Sequence, residues 1–189
     1  MLDENLETWQ KFFKNQLNYN DVKHLVNEVN INELQKIKKG ESTSDALLNR
    51  LGKNFYSQNQ EAIDYLIEAK YLEPYMRINF VETEDNFYYR KETSDLNAKK
   101  LDYNKTVSAL NSLYNAAKNP EIKLRYGYQL VRFNHYTRNY EEAIKVFQKY
   151  VAPLNLKSAP YYLALDQLAG AQRGLKNMVD ANWNFFQVF

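Results

Sequence analysis

Residues 124–154, LRYGYQLVRFNHYTRNYEEAIKVFQKYVAPL, carry an apolar pattern that returns thirty-eight residues later, and no other feature constrains the fold as much. Tyr140, Ala143, Ile144, Phe147, Tyr150 and Val151 recur at the three-and-four spacing of one helix face, which Pro153 ends. In LDQLAGAQRGLKNMVDANWNFFQVF, Met178, Ala181, Phe185 and Val188 stand where Tyr140, Ala143, Phe147 and Tyr150 stood. Thirty-seven residues upstream Tyr103, Thr106, Val107, Leu110 and Leu113 hold the same places, and Ala62, Ile63, Leu66, Ala69 and Pro74 hold most of them earlier still. Periods of 30 to 50 residues built from helix pairs bury their apolar faces only against neighbouring pairs. The expected fold is therefore all-α, an α-α superhelix of antiparallel pairs turning near Gln58, Arg138 and Lys176.

The spacing of Ala62, Leu66, Ala69 and Pro74 resembles the tetratricopeptide repeat, whose second helix has a small residue, a large one four on, a small one three on and a proline five later. Where that pattern has a small residue the repeat at 124–154 has Tyr150, its proline, Pro153, comes early, and the usual Leu-Gly pair is Leu130-Val131, then Leu168-Ala169 in the next repeat. The resemblance covers residues 45–75 and 103–189. The C-terminal half is also similar to an uncharacterised family of large bacterial proteins with tetratricopeptide-like ends, which implies no activity.

Four regions follow. Residues 1–44 are expected to form short helices, the second capped by Asn20 and the third running from Asn30 to Gly40. Residues 45–74 form a first helix pair, with Ser44 as its cap. Residues 75–92 lose the helical period in RINFVETEDNFYYR, which reads as an irregular insertion or linker with any strand confined to 77–89. Residues 93–189 hold the C-terminal repeats, with one long helix from Ser94 to Asn119, a helix opened by Asn119-Pro120, and another opened by Ser158 and Pro160 that exits at Gly174.

Composition narrows function mainly by exclusion. With 25 basic and 23 acidic residues the net charge is +2, so no global field draws in nucleic acid. No cysteine is present for a disulfide framework or thiolate metal site. No apolar run approaches the roughly 18 residues of a membrane span, and the start MLDENLETWQ lacks a signal peptide's basic and apolar regions. Trp183, Phe185, Phe186, Val188 and Phe189 close the chain without the polar outer face of a terminal repeat, so it is expected to be a piece of a longer protein.

Catalytic patterns give no positive lead. His24 shares a helix face with Asp21 and Glu28, which reads first as a solvated face and only second as a ligand set. His135 has no carboxylate at helical spacing, and only folding would bring Glu142 or Asp166 to it. Glu82, Glu84 and Asp85 read first as a solvated charge run and only second as a cation site or a glycosidase-like pair. No phosphate-cradling loop or nucleophile elbow appears, so no enzyme activity, cofactor or metal is expected.

The candidate site is a stripe on the helix of 124–137: Arg125, Tyr128, Arg132 and His135, spaced three, four and three. Tetratricopeptide proteins line their concave groove with the first helix of each pair, so the resemblance implies that this stripe faces the groove, with Asp166 and Arg173 added by the next repeat. Two arginines with a tyrosine and a histidine suit a carboxylate, a phosphate or an acidic peptide. The plainer alternative is a polar face with Arg125 paired to Glu121. The leading expectation is a non-catalytic scaffold that binds a peptide or a neighbouring domain of the same longer chain in the groove. The other is a ligand-binding or regulatory domain attached to an enzyme, with a cavity lined by Phe80, Phe87, Tyr88 and Tyr89.

Overall fold

The computed structural model describes residues 3–14, 16–76, 80–82, 90–92 and 97–188. These are almost all helical and divide into two compact units, Met1–Tyr71 with Ser158–Pro160, and Leu72–Lys157 with Tyr161–Phe189.

In the N-terminal unit, α1 (Glu4–Phe12) begins at Asp3, whose carboxylate accepts from the Asn5 and Leu6 amides. Next, α2 (Tyr19–Lys23) is capped by Asn18 and not by the expected Asn20. Asn18 and Asp21 each accept the other's backbone N–H, satisfying two orphan donors at once, which Asn20 has no partner to do. A π turn, His24–Glu28, continues the helix, and α3 (Ile31–Lys39) starts at Asn30 and ends at left-handed Gly40, as expected.

Helix α4 (Ala46–Leu51) is capped by Asp45 and not by Ser44. The Ser44 amide and the Thr43 hydroxyl both go to Glu33, whose carboxyl is held down at about 2 by Lys36 and by these two donors. Gly52, at φ 81°, separates α4 from α5 (Phe55–Gln58), and Asn59 turns the chain into α6 (Gln60–Leu72). The core of this unit is aromatic: Trp9 stacks on Phe13 at 5.8 Å and tilts against Tyr65, while Phe13 stacks on Phe55 at 6.0 Å.

The C-terminal unit opens with a 3-10 turn, Glu73–Tyr75, before two short antiparallel strands. Phe80 of β1 (Phe80–Glu82) lies opposite Glu92 of β2 (Arg90–Glu92), so β2 falls beyond the 77–89 span expected to contain any strand. A second 3-10 turn, Asn97–Lys100, meets the first, and the Asn97 amide donates to the Pro74 carbonyl at 3.5 Å. Met76 and Ala98 are buried at this junction. The long helix expected from Ser94 does not form. Asp102 adopts an extended backbone and caps α7 (Tyr103–Ala116) by accepting the Lys105 amide at 2.8 Å.

Two full helix pairs follow. The first is α8 (Pro120–Tyr136), with Asn119 as cap and Pro120 in its first turn, and α9 (Tyr140–Val146), which runs into a π turn, Phe147–Val151. The second is α10 (Ala159–Gly174) and α11 (Met178–Val188). Their turns share two closing hydrogen bonds. Arg138 and Lys176 both take left-handed backbone, at φ 64° and 61°. The Asn139 amide donates to Asn134 and the Asn177 amide to Gln172, while the Arg138 and Lys176 amides donate to His135 and Arg173. Both Ala143 and Ala181 are fully buried.

Two glycines act through space and not through turn geometry. Gly174, expected as the exit, comes two residues before the left-handed Lys176; a Cβ on Gly174 would meet the Tyr140 ring at 2.5 Å. On α8, a Cβ on Gly127 would meet Val151 at 3.1 Å and the Tyr150 carbonyl at 3.3 Å. That explains how Tyr150 occupies a place where a small residue was expected: α8 supplies the small residue for the close approach.

Candidate functional site

The structure distributes the stripe of α8 among different tasks. Arg125 is 3% exposed, which overturns its expected place on an open surface. It lies on the side of α8 that carries Ile122 and Gln129, both buried, so the arginine is part of the packed interior. Its role in this structure is internal.

Arg132, in the middle, is half-buried between two rings. Its guanidinium carbon lies 5.9 Å from the centre of Tyr128 and 5.6 Å from that of Tyr136, four residues to either side on the helix. A planar, weakly hydrated cation suits this position, because each ring face carries negative charge density. One of its nitrogens also donates to the Met76 carbonyl at 3.3 Å, so Arg132 ties α8 to the point where the 77–96 segment departs.

His135 is half-buried against the next pair. A Cβ on Gly170 would stand 2.5 Å from its ring, so the imidazole fills the space that glycine leaves on α10. Its Nδ1 lies 2.8 Å from Gln167 Oε1, and Gln167 Nε2 donates to Asp166 at 3.2 Å. A carboxylate only accepts, so Gln167 must turn its nitrogen toward Asp166 and its oxygen toward His135, which makes Nδ1 the protonated nitrogen. Burial pushes the imidazole below its ordinary value, with Arg173 adding to the shift, while the Gln167 bond and Asp166 oppose it. His135 is a neutral side chain near pH 7.

Asp166 therefore reaches His135 through Gln167. Arg173 is exposed on the same helix, with its guanidinium carbon 5.6 Å from the centre of the Phe185 ring. Thirty-eight residues relate Tyr128 to Asp166, Arg132 to Gly170 and His135 to Arg173. An open hollow of about 390 Å³ lies alongside, lined by Arg138, Asn139, Tyr140, Glu141, Glu142, Lys145 and Leu175.

Tyr136 and Gln167 are the members the sequence reading passed over. Tyr136 was visible in the spacing, four after Arg132. Gln167 was not, because only the packing of α10 on α8 brings it to His135. The aromatic cavity foreseen for Phe80, Phe87, Tyr88 and Tyr89 lies outside the described residues for Phe87, Tyr88, Tyr89 and the Phe80 side chain, as do the carboxylates of Glu82, Glu84 and Asp85.

Among the described residues no cluster of His, Asp and Glu is arranged to hold a metal ion, and no helix is long and apolar enough to cross a membrane. His24 bridges two carboxylates, Glu28 at 2.9 Å and Asp45 at 2.8 Å. These bonds raise its pKa, Asp45 first, so its partners are fixed by folding and it is not simply solvated. Compared with protein-family models, with curated proteins and with solved structures, the chain matches none.

Proposed function

We propose that this chain is a non-catalytic scaffold of tetratricopeptide-like helix pairs that holds a peptide segment or a neighbouring domain along a groove formed by α8 and α10. The observation that carries this reading is the Tyr128–Arg132–Tyr136 ladder. An arginine flanked by two rings is oriented before any partner arrives, so less side-chain entropy is lost when it pairs with a carboxylate. Asp166 and Arg173 extend the same face and give a partner both signs of charge to register against. Arg125 is excluded from the contact set by its burial, and His135 serves by fixing α10 against α8.

The test is a titration of fluorescent acidic peptides, followed by anisotropy, against the parent, Arg132→Ala and Arg132→Lys. Loss of the guanidinium is expected to weaken binding at least tenfold, about 1.4 kcal/mol, and lysine, which cannot form the planar fork, is expected to rescue it only in part. Equal affinity of all three proteins would assign Arg132 to the structural tie with Met76 alone. In that event Arg132→Ala should instead lower the urea midpoint of the chain.

A further inference from the structure

We propose that a hollow between α3 and α4 binds a free amino acid with an apolar side chain, its ammonium held by Glu41 and its carboxylate by Lys53. This site lies in the N-terminal unit and is independent of the groove on α8 and α10. The hollow measures about 290 Å³, close to the lower end of the roughly 300 to 1,000 Å³ of small-molecule sites.

Two glycines shape it. Gly40 ends α3 at φ 74° and Gly52 ends α4 at φ 81°, and each has open space where a Cβ would stand. A positive φ turns the chain sharply at both places, and the residue that follows each glycine, Glu41 in one case and Lys53 in the other, borders the same hollow. Half-buried Ile37 and buried Leu48 line it with apolar surface, while Ser42 and Asn49 add an exposed hydroxyl and an exposed amide.

Charge selects the ligand. Between Glu33 and Lys53 the chain carries eight charged side chains, and five of them have ionic partners. Glu33 and Lys36 pair with each other, Lys38 with Asp64, Asp45 with His24 and Arg50 with Asp21. Among the described residues Lys39, Glu41 and Lys53 are left without one, and of these Glu41 and Lys53 line the hollow. Opposite charges that border one hollow without meeting suit a molecule that carries both charges within a few bonds. The carbonyl ends of α3 and α4 also border the hollow and favour an ammonium there over a second anion.

The walls are fixed before any ligand arrives. The Ser44 amide donates to Glu33 at 2.7 Å and the Thr43 hydroxyl donates to the same carboxylate, which holds the 41–44 loop to α3. Asp45 lies 2.8 Å from His24 and Arg50 pairs with Asp21, so α4 is tied near both ends. Walls held in this way lose little entropy on binding. Both charges stand at an exposed rim, which sets the affinity at about 1 mM.

Nuclear magnetic resonance of the whole isotope-labelled chain tests this with L-leucine, with isopentylamine, which lacks the carboxylate, and with isocaproate, which lacks the ammonium. Leucine should shift the amides of residues 40–43 and 49–53 saturably, with a Kd of about 1 mM, and each single-charge probe should bind about fivefold more weakly. Lys53→Gln should erase the advantage of leucine over isopentylamine, and Glu41→Gln its advantage over isocaproate. Both side chains are exposed, so amides elsewhere in the chain should stay in place in either variant. Absence of a saturable shift up to about 50 mM leucine, equal binding of all three probes, or variants that bind leucine as the parent does, overturns the proposal. The peptide titration at Arg132 reads the other unit, so either site can fail without the other.

Discussion

In the first C-terminal helix pair Glu141, Lys145 and Gln148 face solvent, whereas in the second Val179, Trp183 and Phe186 stand in the same three places. The turns of the two pairs nevertheless share their left-handed residue, their two closing hydrogen bonds and a fully buried alanine. The comparison separates what the repeat needs from what it leaves open. Turn geometry and the small residue under the second helix are needed, because they set how closely paired helices approach. The outer face is open to exchange. Inner faces differ in a further way: α10 carries Gly170 and Gly174 to admit His135 and Tyr140 of the preceding pair, while α8 carries Arg132 at the position of Gly170.

The largest effect that would break this comparison lies at those glycines. Gly170→Val would drive a branched side chain into an imidazole held by Gln167, and Gly174→Val would do the same to the Tyr140 ring. Each is expected to cost about 3 kcal/mol, the upper part of the overpacking range, read as a lower urea midpoint at unchanged slope. A combined Gly170→Val, His135→Ala protein should recover much of the loss, since the clash is with one ring. No recovery would mean that the close approach is between backbones.

Next come the buried alanines. Ala143→Ile and Ala181→Ile should each overpack by about 1 to 3 kcal/mol. The first should cost more, because α9 is held by α8 on one side and by α10, through Tyr140 on Gly174 and Phe147 against Tyr161, on another. Helix α11, with an exposed outer face, has more room to shift. Equal losses would show that α11 is held as firmly as α9. Unchanged thermal unfolding of both variants would remove the alanines from the helix contacts altogether.

Much of this was legible in the chain because it rests on local chemistry. The caps at Asn30 and Asn119, the left-handed Gly40 and the turns at Arg138 and Lys176 follow from residue type and spacing alone. What escaped depends on contacts distant in sequence or on competition between local groups. Ser44 lost its capping role to the adjacent Asp45, whose carboxylate accepts the Leu48 amide, while Glu33, eleven residues away, holds the Ser44 amide outside the helix; Asn20 lost its own because the Asn18–Asp21 pair satisfies two donors. The candidate stripe was read as a single face, but helical spacing cannot say which part of a face a neighbouring helix will cover. Arg125 went into the core, His135 went against Gly170, and Arg132 stayed at the edge. The 77–89 expectation for strands stopped short of Arg90–Glu92 because pairing register is set by the partner strand, which no period in the sequence displays.

A smaller effect sharpens the comparison through pH. The first pair places a neutral, half-buried imidazole where the second has the exposed Arg173. Folding lowers the His135 pKa below 6.5, so the unfolded chain binds a proton that the folded one resists. Stability should be flat above that pH and should fall as pH drops from about 6.5 toward the folded value. His24, the chain's other histidine, has the opposite sign: Asp45 and Glu28 raise its folded pKa, so its contribution is full below 6.5 and is lost as pH rises through the raised value. His135→Gln should flatten the loss on acidification, and His24→Gln should steepen it, in urea midpoints taken between about pH 5 and pH 8. The same slope in both variants would mean that the carboxylates, and not the histidines, set the profile.

The smallest expected effect tests whether the two turns are the same in energy as well as in geometry. Arg138 and Lys176 hold left-handed backbone at φ 64° and 61°, a region that costs an L-residue with a side chain about 1 to 2 kcal/mol. Glycine removes that cost but brings roughly 0.5 to 1 kcal/mol of extra backbone entropy to be lost on folding. Arg138→Gly and Lys176→Gly should therefore each stabilise the chain by roughly 0.5 kcal/mol, and because the two turns border one hollow and Tyr140 meets Gly174, the double variant measures how strongly they couple. Both side chains are exposed, so little packing is lost with them. A gain at one turn and a loss at the other would show that the shared hydrogen bonds conceal different strain, and the thirty-eight-residue recurrence would then describe the backbone path without describing the forces that hold it.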